Sequence, residues 1–131
     1  MIRAGQYADC YAANSDSGTN TIVPGKSISC NTGNVSQRLE VVDAGGATAS
    51  FAGGYYLALR AAMNSAPNAA LPNACTSTYG TPYSGFTTAI CNQTQDNGFA
   101  MLLAKNVPGG ESMVVKFNTS FGPLPGLGLT P

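Results

Sequence analysis

Residues 98–121 read GFAMLLAKNVPGGESMVVKFNTSF. Two strand-like runs, 98–107 and 112–121, flank Pro108-Gly109-Gly110-Glu111, which sets Pro and Gly where a short connection needs them. The stretch predicts a β-hairpin, and with it a domain built on sheet.

Upstream, SQRLEVVDA at 36–44 alternates: Leu39 and Val41 point one way, Arg38, Glu40 and Val42 the other, and Gly45-Gly46 ends the strand. Residues 13–34 read as turns around short extended pieces at 21–23 and 27–30. FAGGYYLALRAAMNSA at 51–66 carries a helical pattern, with Tyr55, Leu59 and Ala62 or Met63 at spacings of three and four and Pro67 as the stop. Ser50 is a candidate N-cap, Gly53 and Gly54 weaken the first turn, and a strand through 54–60 competes with the helix. The expected fold is a β-rich α+β domain of antiparallel strands with one short helix and long loops. A chain of 131 residues suits one such unit, placed at 1–120, with FGPLPGLGLTP at 121–131 as an extended C-terminal arm.

Composition narrows the function. Charged residues make up 9% of the chain, against about 25% in an average soluble domain. Acids and bases cancel at six each, a balance that favours association over mutual repulsion. Arg3, Lys26, Arg38, Arg60, Lys105 and Lys116 are scattered, so no basic footprint for nucleic acid is present. No run approaches the roughly 20 apolar residues of a membrane-spanning helix. The N-terminal MIRAGQYADCYAANSD lacks a basic segment followed by an apolar core, so a leader peptide is not expected within it.

Four cysteines, Cys10, Cys30, Cys75 and Cys91, permit three disulfide pairings. Sequential pairing, Cys10 with Cys30 and Cys75 with Cys91, is the simplest. Free buried thiols are the alternative, and zinc fits poorly because no two cysteines stand at knuckle spacing and the chain has no His. No metal or other cofactor is expected. Disulfides point to an oxidising destination, extracellular or on a virion surface. Asn34, Asn92 and Asn118 begin Asn-x-Ser/Thr triplets, of which about two are expected by chance in so polar a chain.

Catalytic motifs fail on inspection. Gly25-Lys26-Ser27 lacks the upstream glycine of a phosphate-binding loop, since Asn20 stands there. Ser84 lacks the Gly-x-Ser-x-Gly frame, and without His the usual base for a nucleophile is missing. The carboxylate pairs Asp9 with Asp16 and Glu40 with Asp43 are the remaining hydrolytic candidates, although residues three apart on a strand face opposite ways. The expectation is a protein without enzymatic activity.

The segment between the last two cysteines, CTSTYGTPYSGFTTAIC, is free of charge and carries Tyr79, Tyr83 and Phe86. Charge depletion with aromatic enrichment is the signature of a buried interface. The leading expectation is a structural subunit that packs against its own copies or a larger lattice protein, first a virion decoration, capsid or tail component, second a filament or pilus subunit. Tyr79, Tyr83, Phe86, Phe121, Leu124 and Leu127 are the expected contact residues. The other expectation is a small secreted carbohydrate-binding module, with Tyr79 and Tyr83 stacking on sugar beside Asn92 and Asp96.

Overall fold

The computed structural model describes residues 1–12, 14–65, 70–77 and 85–123. Strands β1 (Ile2–Asp9), β2 (Ser17–Val23), β3 (Ser27–Thr32), β4 (Val35–Asp43) and β5 (Thr48–Tyr55) precede helix α1 (Tyr56–Ser65). Strand β6 (Ala74–Thr76), a 3-10 turn (Thr88–Asn92), β7 (Gln95–Lys105) and β8 (Lys116–Pro123) follow.

Strand β7 is the axis. Its run FAMLL is buried on both faces, which is why its hydrophobicity does not alternate. β1 lies along one edge, from Ile2 opposite Lys105 to Asp9 opposite Gly98, and β5 along the other, from Thr48 opposite Ala104 to Tyr55 opposite Asn97. β6 extends this sheet beside β5 in parallel. Past Asp9 the chain detours, and β2 rejoins the edge of β7 at Ser17 opposite Asp96 before leading into an antiparallel series β2-β3-β4-β8.

That series folds over the first sheet. Ile28, Cys30 and Leu39 meet Phe51, Phe99, Met101 and Leu103 to form the main core. On the far side of the first sheet, Ala52, Ala100 and Leu102 are covered by Leu59 of α1 and by Leu71. The result is mostly β, three layers deep, with one short helix among the described residues. No helix of the described residues is long and apolar enough to cross a membrane.

Two expectations are corrected. The hairpin over 98–121 does not form: β7 pairs with β1, β5 and β2, and β8 pairs with β4. Its turn is present, with Glu111 N–H donating to the Pro108 carbonyl at 3.1 Å and Gly110 at φ +84°. It carries the chain from one sheet to the other. Val115 then packs on the main core, and the second strand begins at Lys116 rather than Ser112. Gly45 lets this crossing pass close by, since a Cβ there would strike the Val114 carbonyl.

The helix over 51–66 starts five residues late. Residues 51–55 belong to β5, and Ser50 caps nothing: its Oγ accepts from the Leu71 N–H at 2.9 Å. Gly53 and Gly54 decide this. A Cβ on Gly53 would stand 2.6 Å from Asn20 Cγ, and Gly54 sits at φ +109° against the Thr76 backbone. The expected stop at Pro67 lies outside the described residues.

The disulfides are Cys10–Cys30 and Cys75–Cys91. The first is fully inside the core and ties the detour after β1 to β3. The second joins β6 to the 3-10 turn, where Cys75 and Thr87 also exchange two backbone hydrogen bonds. The charge-free loop therefore has a doubly fastened base, and its tip at 78–84 lies outside the described residues. Of the expected arm, 121–123 complete β8 opposite Gln37, Ser36 and Val35, and 124–131 lie outside the description.

Candidate functional site

The part of the surface that departs most from an ordinary covered sheet is β8. It takes hydrogen bonds from β4 along one edge, and among the described residues nothing pairs with its other edge. Residues 116–121 are exposed throughout. Antiparallel partners share a face, so Phe117 opposite Val41, Thr119 opposite Leu39 and Phe121 opposite Gln37 all lie on the core side of the sheet. Leu39 is buried by the first sheet, which does not reach as far as β8. Phe117 therefore remains 39% exposed and Phe121 64%. Val42, at the bulge in β4, and Val114, just before β8, are exposed at 57% and 66%.

Sequence reasoning had singled out Phe121 and passed over Phe117, Val42 and Val114. In an alternating strand a Phe reads as core, and only the pairing of β8 at the end of a sheet leaves it uncovered. Of the other expected contact residues, Phe86 is half-buried against the core cluster of Leu59, Leu71 and Leu102. Tyr79, Tyr83, Leu124 and Leu127 lie outside the described residues. Asn34, Asn92 and Asn118 are all exposed.

The opposite face of the β2-β3-β4-β8 sheet is polar. Thr21, Ser29, Arg38 and Glu40 line a shallow cavity of about 510 Å³ with Lys26 at its rim, and Arg38 and Glu40 stand 3.7 Å apart. Both are substantially exposed, so the pair contributes at most about 1 kcal/mol.

A second cavity, about 270 Å³, opens between β2 and the 3-10 turn and is lined by Asn20, Ile22, Asn73, Thr88 and Asn92 beside the Cys75–Cys91 bridge. Asn20 is buried. Its Nδ2 donates to the Ser29 carbonyl at 3.2 Å and the Gly98 carbonyl at 3.4 Å, while its Oδ1 has no partner. Asn97 Nδ2 donates to the Gly18 carbonyl at 2.6 Å. These two amides clamp β2 to β7 where the sheets meet, a role that neutral polar residues gave no sequence signal for.

Asp9, Asp16 and Asp96 gather at the same seam, as the detour after β1 returns to β7. Burial raises the Asp9 carboxyl above its ordinary value; the Cys10 backbone N–H opposes this and the Asp16 charge adds to it. Asp96 is raised by burial, then by Asp16 and Asp9. Tyr7 is pushed up to about 12, by burial first and Asp9 second. The described residues contain no group of acids and cysteines set to hold a metal ion.

A raised carboxyl means that the native state takes up its proton before the unfolded chain does. The penalty from Asp9 and Asp96 is thus present at neutral pH and disappears as pH falls through their raised values toward the ordinary 3.8. Asp16→Asn is expected to raise the melting midpoint by a few degrees at pH 7 and hardly at all at pH 3, below the ordinary carboxyl value of 3.8. Thermal melts at the two pH values check it, and an equal gain at both would remove the repulsion account.

No family model, curated protein or solved structure matches this chain.

Proposed function

We propose that this protein is a non-enzymatic structural subunit that assembles with copies of itself or onto a larger lattice protein, as a component of a virion or, in second place, of a filament. The observation that carries this reading is strand β8, whose outer edge nothing pairs with among the described residues. An edge strand offers a row of unpaired N–H and C=O groups, and monomeric proteins blunt such edges with charge, proline or a covering segment. β8 has one charge, Lys116 at its start, and one proline, Pro123 at its end. Between them it offers two Phe side chains to solvent. A chain with so few charges supplies little repulsion to keep such edges apart. The two disulfides suit an oxidising setting, extracellular or on a particle surface.

Sedimentation at micromolar concentration tests the reading. Species heavier than the 13.3 kDa chain are expected. Phe121→Glu is expected to weaken association about tenfold or more, as loss of a buried aromatic anchor does. Because Phe121 is exposed in the single chain, its melting midpoint at low concentration should not change. A strict monomer at high concentration overturns self-assembly and leaves only docking onto a larger lattice protein.

A second reading, a secreted carbohydrate-binding module, draws on the smaller cavity. Its amides and hydroxyls from Asn20, Asn73, Asn92 and Thr88, with no charged residue among them, suit a neutral polyhydroxyl ligand. Amide shifts confined to these residues on addition of neutral monosaccharides to a monomeric protein would favour it.

A further inference from the structure

We propose that β8 pairs antiparallel with β8 of a second copy across a two-fold axis centred on Thr119, an inference that rests on the assembly reading above. The segment Phe117-Asn118-Thr119-Ser120-Phe121 is symmetric in character about its middle residue. With Thr119 opposite Thr119 of the second copy, Phe117 of each chain stands opposite Phe121 of the other. Asn118 stands opposite Ser120, and Lys116 opposite Gly122. Two aromatic pairs then line the face that the fold leaves open, and two neutral polar pairs line the other face.

The alternatives are poorer. Rotation about an axis normal to the sheet keeps each residue on its own face, so an isologous register shifts only in steps that exchange like-facing residues. Centring on Asn118 sets Phe117 opposite Thr119 and Phe121 opposite Val115, ahead of the strand, and centring on Ser120 sets Phe121 opposite Thr119 and Phe117 opposite Pro123, so neither pairs the two Phe. The Thr119 register keeps 116–122 fully overlapped and faces no charge with a like charge. Aromatic cross-strand pairs are among the contacts that stabilise antiparallel strands most. The pairing joins two four-stranded sheets into one of eight strands, β2-β3-β4-β8 followed by its symmetric copy. Isologous contact closes on itself, so this dimer is a unit from which a larger assembly would be built through other surfaces.

The cysteines make the register directly testable. All four are in disulfides, so a new thiol has no free native partner. Directly opposed residues have Cβ atoms about 4.5–5.5 Å apart, within disulfide range after small adjustment, whereas an offset of two residues exceeds it. The full-length variant Thr119→Cys, exposed in the single chain, is oxidised mildly under native conditions and its mass read without reductant. A covalent dimer of twice 13.3 kDa is expected as the main product, and none when the oxidation is done in denaturant. Asn118→Cys and Ser120→Cys are expected to stay uncrosslinked alone and to crosslink when mixed. If the wild type associates but Thr119→Cys crosslinks no better than the other two alone, this interface falls while the assembly reading stands. If the wild type and every variant are monomeric, this interface and self-assembly fall together.

Discussion

Replacing Gly54 with alanine is expected to cost about 3 kcal/mol or more, from a backbone conformation that side chains rarely adopt and an overpacked contact. Gly54 lies in β5 at φ +109°, and an added Cβ would come within 2.9 Å of the Thr76 carbonyl carbon and closer still to that residue's N and O. All of these are backbone atoms, so no flexible side chain is there to yield. Gly25 supplies the control: it too has positive φ, at +75°, but nothing lies within 4 Å of the Cβ it lacks. Gly25→Ala should cost only about 1–2 kcal/mol, the price of the left-handed conformation alone. Urea unfolding of the two variants with disulfides intact measures the difference. Equal midpoints would mean that β6 does not press on β5 as described.

The second large effect is expected from removing Cys10–Cys30. Its sequence separation of 20 corresponds to about 3 kcal/mol in the loop-closure account. The position adds to this, because both sulfurs are buried in the main core beside Ile28 and Phe99. Gly18 packs directly on the bridge, with room for no Cβ between Cys30 Sγ at 2.9 Å and the Asn31 carbonyl at 2.7 Å. Cys10→Ala with Cys30→Ala therefore loses both the tether and packed volume at the point where β2 leaves β7. Cys75→Ala with Cys91→Ala should cost less, since the Cys75–Thr87 backbone bonds still hold the loop base. Chemical denaturation of the two double variants ranks them, and a larger loss at Cys75–Cys91 would contradict this ordering.

Features set by local chemistry were legible in the sequence. The alternation about Leu39 and the glycines at 45–46 located β4 and its end, and cysteine spacing favoured the pairing that occurs. Features set by distant partners were not. Phe51 to Tyr55 carries small residues that fit a helix as well as a strand, and Asn20 and Thr76, far along the chain, select the strand. The turn after β7 reads as a hairpin because nothing local says which sheet receives the following strand. β1, with Ala4, Gly5 and Gln6 in its middle, has weak strand character and is held in place by β7. At the candidate site, aromatic composition suggested a covered surface, and Phe121 was visible as a candidate. Phe117 was hidden by its resemblance to an ordinary core residue.

The place of β7 in the order of the chain has a consequence for how the protein is made. Three strands that precede it, β1, β2 and β5, have it as a neighbour, and Ile2 waits for Lys105. Only β2, β3 and β4 form a run whose partners follow one another closely enough to pair as they emerge. Contacts so far apart in sequence are slow to close. On the ribosome, β1 and β5 emerge with strand edges exposed and no central strand to receive them. Emergence of β7 is thus the event that commits these strands to their sheet, and among the described residues β8, like the outer side of β1, is an edge that it leaves open.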